Sequence, residues 1–103
     1  MIESDWKILR TVKEAALERL CGRILAQAKA VIDSDEGSNH ERYGRLFQTI
    51  KDRDDDIKWA FDRVSRSNAL QKLAAMVKLE LVTDEELARF SEETRETARR
   101  MLS

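Results

Sequence analysis

Residues 33–41, DSDEGSNHE, decide the fold, because they place a polar turn between two long stretches with helical periodicity. Asp33–Ser38 surrounds Gly37 with polar side chains, which is typical of a loop. Ser38 and Glu41 then form a capping-box pattern, in which the serine oxygen and the glutamate satisfy free amides of a new helix. One helix is therefore predicted to end near residue 32 and another to begin at residue 39, and the two should form an antiparallel hairpin.

Three other sites carry helix-boundary chemistry. Ser4 followed by Asp5 is expected to open the first helix, and Ser65–Asn68 competes for backbone hydrogen bonds and predicts a break. Thr83–Glu86 repeats the capping-box pattern. The predicted helices span residues 5–32, 39–64, 68–81 and 84–101. With 103 residues the chain fits one domain, so we expect a single all-α domain over residues 1–103, an antiparallel bundle of about four helices (two long, two shorter) without a sheet.

The apolar residues of each long helix fall on one broad face when side chains are placed at about 100° per residue. We expect both faces to be buried in the core. On the first helix the face consists of Trp6, Leu9, Ala16, Leu17, Leu20, Ile24, Ala28 and Val31. On the second it consists of Tyr43, Leu46, Phe47, Ile50, Ile57, Phe61 and Val64.

The composition excludes several classes of protein. A single cysteine excludes a disulfide framework, and no Cys/His pair has zinc-site spacing. No apolar run approaches the roughly 18 residues of a membrane helix, and no glycine-rich phosphate loop is present. The net charge of −1 gives no overall positive field for nucleic acid or anionic lipid. We therefore expect a cytoplasmic protein without a membrane segment or a cofactor.

Two charged residues interrupt the apolar faces. Lys13 lies within the first face and Asp54 within the second, at nearby levels of an antiparallel hairpin. The sequence predicts a structural ion pair between them, with Arg10 as a competing partner, that fixes the register of the two helices. The functional alternative is that Asp54 is a buried acid with a raised pKa.

Trp59 points away from the predicted core face of the second helix. It lies among aspartates, which makes this surface a candidate contact with a protein partner. The alternative is that the third or fourth helix covers the indole. The candidate contact comprises Trp59, Asp52, Asp55, Asp56 and Asp62. Three of these carboxylates share one face, but no second acidic motif supplies further ligands, so no metal site is predicted.

A second, narrower apolar strip on the first helix is a candidate self-association surface. Its leading residues are Ile8, Val12 and Ala15. Either the bundle wraps the helix on two sides, or the strip is a seam between subunits. Covering such a strip by a two-fold dimer is common, so we expect a homodimer.

The sequence predicts no catalytic residue. His40 has no nucleophile or acid near it along the chain, and Cys21 lies on an apolar face. We therefore expect a non-enzymatic adaptor or accessory factor that acts through protein contacts and self-association. The alternative is a small regulator that binds nucleic acid through a basic strip formed by Arg95, Arg99 and Arg100.

Overall fold

The computed structural model describes residues 1–102 and confirms the all-α fold. Within these residues there are five helices and no strand. The helices are α1 (Glu3–Asp33), α2 (Asn39–Phe61), α3 (Ala69–Lys78), α4 (Asp84–Leu87) and α5 (Glu92–Leu102). The molecule is elongated, measuring 52 × 24 × 23 Å, because the 31 residues of α1 alone span about 46 Å.

The turn between α1 and α2 forms as the sequence predicts. Gly37 adopts a positive φ of 80°, a conformation that glycine reaches without steric cost. Both hydrogen bonds of the Ser38–Glu41 capping box are present. Arg42 and Arg45 on α2 donate to the carbonyl oxygens of Ser34 and Glu36, at 2.8 and 2.6 Å, and so hold the turn against the first turns of α2.

Several predicted boundaries differ from the structure. α2 and α3 each end three residues earlier than predicted, at Phe61 and Lys78. α1 begins at Glu3 with Ile2 at its N-cap, without a side-chain cap, so Ser4 is not the capping residue. The helix predicted over 84–101 divides into α4 and α5. Ser91 interrupts it because its hydroxyl accepts from the Thr94 amide at 3.3 Å, which starts a new helix. The bundle of about four helices predicted from the sequence therefore has five helices among the described residues, because the last predicted helix is divided.

The breaks on either side of α3 use two residues in the left-handed region. After α2, Arg63 has a φ of 52°, and the Asn68 side chain accepts from the Ser65 amide and donates to the Arg63 carbonyl oxygen, both at 2.8 Å. After α3, Glu80 has a φ of 58°, and the Leu81 amide donates to the Met76 carbonyl oxygen at 3.0 Å. This turn directs Leu81 into the core, where it is fully buried.

The core lies at one end of the hairpin. We call residues 1–20 and 60–102 the head, and residues 21–59 the arm. Every buried residue belongs to the head, and no residue from 21 to 59 is buried. The apolar core consists of Leu9, Val12, Ala16, Leu20, Ala60, Ala69, Leu73, Ala74, Ala75, Met76, Leu81, Phe90 and Ala98. Only the base of the arm, including Ile24 and Ile57, packs against this core, and no third helix packs along the rest of the arm.

A buried carboxylate joins the two ends of the chain in the head. Asp5 on α1 is only 2% exposed. Its Oδ1 accepts from the Ser91 amide at 2.9 Å. Its Oδ2 accepts from the hydroxyls of Ser91 and Thr94 at 2.7 and 2.6 Å. Asp5 therefore fixes the first turn of α5 against α1, across more than eighty residues of sequence.

The hydrogen bonds to Asp5 also set its protonation. Burial raises the pKa of the Asp5 carboxyl, but the hydrogen bonds from Ser91 and Thr94 together outweigh burial, so the pKa lies below its ordinary value. Hydrogen bonds to a carboxylate favour its charged form. Asp5 is therefore held as an anion in the folded head.

A second polar connection holds α4 against α1. The guanidinium of Arg19 binds both carboxylate oxygens of Glu86, at 2.6 and 3.0 Å, and donates to the Leu81 carbonyl oxygen at 2.8 Å. The same carboxylate accepts from the Thr83 amide at 2.9 Å, which completes the second predicted capping box. Its hydrogen bond with Arg19 lowers the pKa of Glu86 despite burial.

We expect Asp5→Asn to destabilise the head by about 1–3 kcal/mol, because hydrogen bonds to a charged group contribute about that much. The stabilisation by the native carboxylate is fully present above the unfolded pKa of about 3.9. It is lost as the pH falls through the lower pKa of the folded carboxyl. Urea unfolding followed by circular dichroism at pH 7 and at pH 3 measures both effects. Asp55→Asn, at an exposed position, is the matched control, and equal stability of the two variants at pH 7 would contradict the role of Asp5.

We expect Arg19→Lys to loosen α4, because an ammonium group cannot reproduce the two parallel bonds to Glu86. Amide hydrogen exchange should become faster at Glu86 and Leu87 and stay unchanged in the arm. The exposed Arg10→Lys controls for the loss of a guanidinium. Unchanged exchange at α4 in the Arg19 variant would show that the ion pair does not hold this helix.

Candidate functional site

The arm exposes a set of large apolar side chains, three of which the sequence analysis assigned to the core. Leu25 is 70% exposed and Phe47 is 58% exposed. We define the arm face as Leu25, Ile32, Tyr43, Phe47 and Ile50, all of which are exposed. For the last three, the prediction of a buried face on the second helix is wrong, because no further helix packs on that side of the hairpin.

The helical rotation places all five side chains on one side of the hairpin. Contact between α1 and α2 is made by half-buried residues, including Ile24, Ala28 and Val31 on α1 and Arg42, Leu46 and Thr49 on α2. Each residue of the arm face follows one of these by a single position, a rotation of about 100°. Because the two helices are antiparallel, equal rotations away from their shared contact bring the side chains to the same side.

The same residues lie at matching heights along the hairpin. Leu25 stands eight residues before the end of α1 at Asp33. Phe47 stands eight residues after the start of α2 at Asn39. The two side chains therefore sit side by side at the centre of the arm face, with Ile32 and Tyr43 towards the turn and Ile50 towards the head.

The C-terminal helices cover the opposite side of the hairpin. On α1, each buried residue of the head stands one position before a residue that lines the contact with α2. Ala16 precedes Leu17, and Leu20 precedes Cys21. The residues of the arm face, in contrast, stand one position after such a residue. The buried residues are therefore rotated away from the contact between α1 and α2 in the direction opposite to the arm face. As a result, α3 and α5 pack on the side of the hairpin away from the arm face. The part of the chain described by the structure leaves the arm face open to solvent.

Trp59 lies on the side of the C-terminal helices and remains 51% exposed. It lines a groove of about 350 Å³ together with Gln71, Ala74, Ala75, Met101 and Leu102. Its own carbonyl oxygen accepts from the Lys72 ammonium at 2.8 Å. The third and fifth helices thus flank the indole without covering it.

The aspartates predicted beside Trp59 are already engaged in part. Asp52 accepts from the Gln48 side chain at 2.7 Å, and Asp56 is half-buried and pairs with Arg53 at 3.4 Å. Asp55 and Asp62 are exposed. Among residues 1–102 no group of three or more His, Cys, Asp or Glu side chains is arranged to hold a metal ion.

The predicted ion pair between Lys13 and Asp54 is wrong. Asp54 pairs with Lys58 on its own helix at 3.3 Å, and its side chain is 52% exposed. Because that side of the hairpin is open, the carboxylate is not forced to find a partner on α1. Polar contacts that do connect distant elements include those of Asp5 and Arg19, which the sequence analysis did not identify.

The predicted self-association strip is also corrected. Val12 is 1% exposed and belongs to the core, and Ile8 is half-buried and packs against that core. Ala15 is half-buried. A strip with its central residue inside the protein's own core cannot form a seam between two copies.

The basic strip at the C-terminal end is only partly available. Arg95 donates to the carbonyl oxygens of Ala88, at 3.4 Å, and of Phe90, and so closes the end of α4. Arg99 is exposed and shares a shallow pocket with Arg95 and Asp84. Arg100 donates to the Thr97 hydroxyl at 3.1 Å.

The polar cluster around Asp5 is poorly suited to acid–base chemistry. Both carboxylate oxygens accept hydrogen bonds from Ser91 or Thr94. The lowered pKa of Asp5 makes it a weak base at neutral pH, because an efficient general base has a pKa near the working pH. The cluster supports the head structurally.

Among the helices that residues 1–102 form, none combines the length and the apolar content that a membrane span requires. Comparison of the chain with protein-family models, with curated proteins and with solved structures found no match.

Proposed function

We propose that the protein is a non-enzymatic adaptor or accessory factor that acts through protein contacts, and that the arm face is its contact surface. One observation carries this proposal: five large apolar side chains of the arm lie on one side of the hairpin and are all exposed. Burial of apolar surface is the main favourable term in protein association. A surface of this kind therefore favours binding of another chain.

The size of the arm face supports the proposal. Its five side chains expose on the order of 500 Å² of apolar surface, which is in the range of the largest patches on soluble proteins, and such patches are often functional. Two of the five are aromatic, Tyr43 and Phe47. Aromatic residues are enriched in the cores of protein interfaces.

The proposal that the protein is not an enzyme rests on the distance between its only cysteine and its only histidine. Covalent catalysis needs a nucleophile within hydrogen-bond reach of an activating base. Cys21 is half-buried on α1 and His40 is exposed beside the turn of the arm, far apart along the hairpin. We propose that the protein works in the cytoplasm, where its single free cysteine stays reduced.

Binding of nucleic acid is the alternative proposal. Arg99 and Arg100, in the last turn of α5, are exposed and could contact phosphates. Arg95 is committed to backbone carbonyl oxygens and Arg100 also donates to the Thr97 hydroxyl, so the exposed basic surface is short. A mobility shift that falls steeply with salt would support this alternative and count against the arm face.

We expect a photoreactive phenylalanine analogue in place of Phe47 to form discrete covalent adducts with protein in the native host cell. The matched control is the same analogue in place of Trp59, because the two aromatic positions have similar exposure on opposite sides of the hairpin. Denaturing gels and mass spectrometry identify the adducts. The absence of adducts at Phe47 would refute the proposal. If adducts formed only at Trp59, the contact surface would instead be the groove that Trp59 lines beside α3 and α5.

A further inference from the structure

We propose that the occupant of the arm face is a second copy of this chain, packed antiparallel to the first across a two-fold axis near Leu25 and Phe47. This inference rests on the proposed function of the arm face and names its partner. The two arms together would form a four-helix bundle in which the apolar side chains of both copies become buried. The heads would lie at opposite ends.

The area of the arm face fits this occupant. A stable interface buries about 800 Å² on each partner. The apolar surface of the arm face, on the order of 500 Å², together with its polar rim would reach that size. The surface is also elongated along both helices, so another pair of helices can cover it without rearrangement of the head, which lies on the other side.

The two-fold axis places the largest side chains against their own copies. Leu25 and Phe47 lie at the same level of the hairpin, so an axis that crosses this level brings each next to the same residue of the second copy. Two phenylalanine rings can then stack in an offset or edge-to-face arrangement. The centre of the interface would be entirely apolar.

Two carboxylates decide between antiparallel and parallel packing. Glu18 and Asp54 each follow a residue that lines the contact between α1 and α2, Leu17 and Arg53, so both project on the side of the arm face. Glu18 stands fifteen residues before the end of α1 and Asp54 fifteen residues after the start of α2. They therefore share one level, at the end of the head core nearest the arm face.

Parallel packing would bring four carboxylates, two from each copy, to that single level. Antiparallel packing moves them about 10 Å from the axis in opposite directions, because seven residues separate Leu25 from Glu18 and each adds about 1.5 Å. It also places Glu18 near the turn of the second copy, where Lys29 follows the half-buried Ala28 and, while already paired with Asp33 of its own helix, adds a positive charge close to Glu18. Repulsion among the four carboxylates therefore disfavours the parallel arrangement.

Sedimentation equilibrium of the purified full chain tests the second copy directly. We expect a mass of twice 12.0 kDa for the native protein at micromolar concentration. Phe47→Lys should weaken the dimer about 30-fold or more, as expected for a central interface residue. Trp59→Lys is the control at similar exposure and should leave the dimer intact. Circular dichroism should show the same helix content in all three proteins.

The results separate this inference from the proposed function. If the native protein stays at 12.0 kDa at all concentrations, the proposal that a second copy binds the arm face is overturned. If the photoreactive analogue at position 47 then captures a different protein, the arm face remains a contact surface. Equal weakening by Phe47→Lys and Trp59→Lys also overturns the proposed interface.

Cysteine cross-linking in a Cys21→Ser background tests the arrangement. A thiol introduced by Phe47→Cys lies near the axis and should join two copies with a short bifunctional maleimide. A thiol introduced by Asp54→Cys lies about 20 Å from its counterpart in the antiparallel dimer, twice the offset of seven residues, and should not react in this way. Efficient cross-linking through position 54 would contradict the antiparallel arrangement.

Discussion

The rest of the structure depends on the buried carboxylate of Asp5. It accepts three hydrogen bonds from Ser91 and Thr94 and thereby fixes the start of α5 near the start of α1. The helices that follow α2 are short, ten, four and eleven residues, so once α5 is held at this end the C-terminal segment cannot extend along the hairpin. Arg19 and Glu86 reinforce the same placement.

This placement produces an asymmetric molecule. The head buries a core on one side of the hairpin, whereas residues 21–59 contribute no buried residue at all. Helices in proteins gain most of their stability from the packing of an apolar face against another element. The arm has such a face and leaves it uncovered, which is the physical basis for the proposal that another chain packs on it. A second copy satisfies the requirement with two helices of the same length and pattern.

Local chemistry could be predicted from the sequence, but long-range placement could not. Both capping boxes and the turn at Gly37 were predicted correctly, because their hydrogen bonds join residues three positions apart. Phe47 was wrongly assigned to the core, because helical periodicity identifies an apolar side of a helix without identifying what covers it. The connection of Asp5 to Ser91 joins residues 86 positions apart, and no periodicity encodes it. A serine in the middle of the predicted last helix was the one available signal for that break.

The concentration dependence of amide hydrogen exchange tests the central claim, that the arm face is covered by another copy in solution. Exchange of the amides around Leu25 and Phe47 should slow as the protein concentration rises from the nanomolar to the high micromolar range. Exchange around the head residues Leu9 and Leu73, which are fully buried in each copy, should not change. Arm exchange that is fast and independent of concentration would contradict the account.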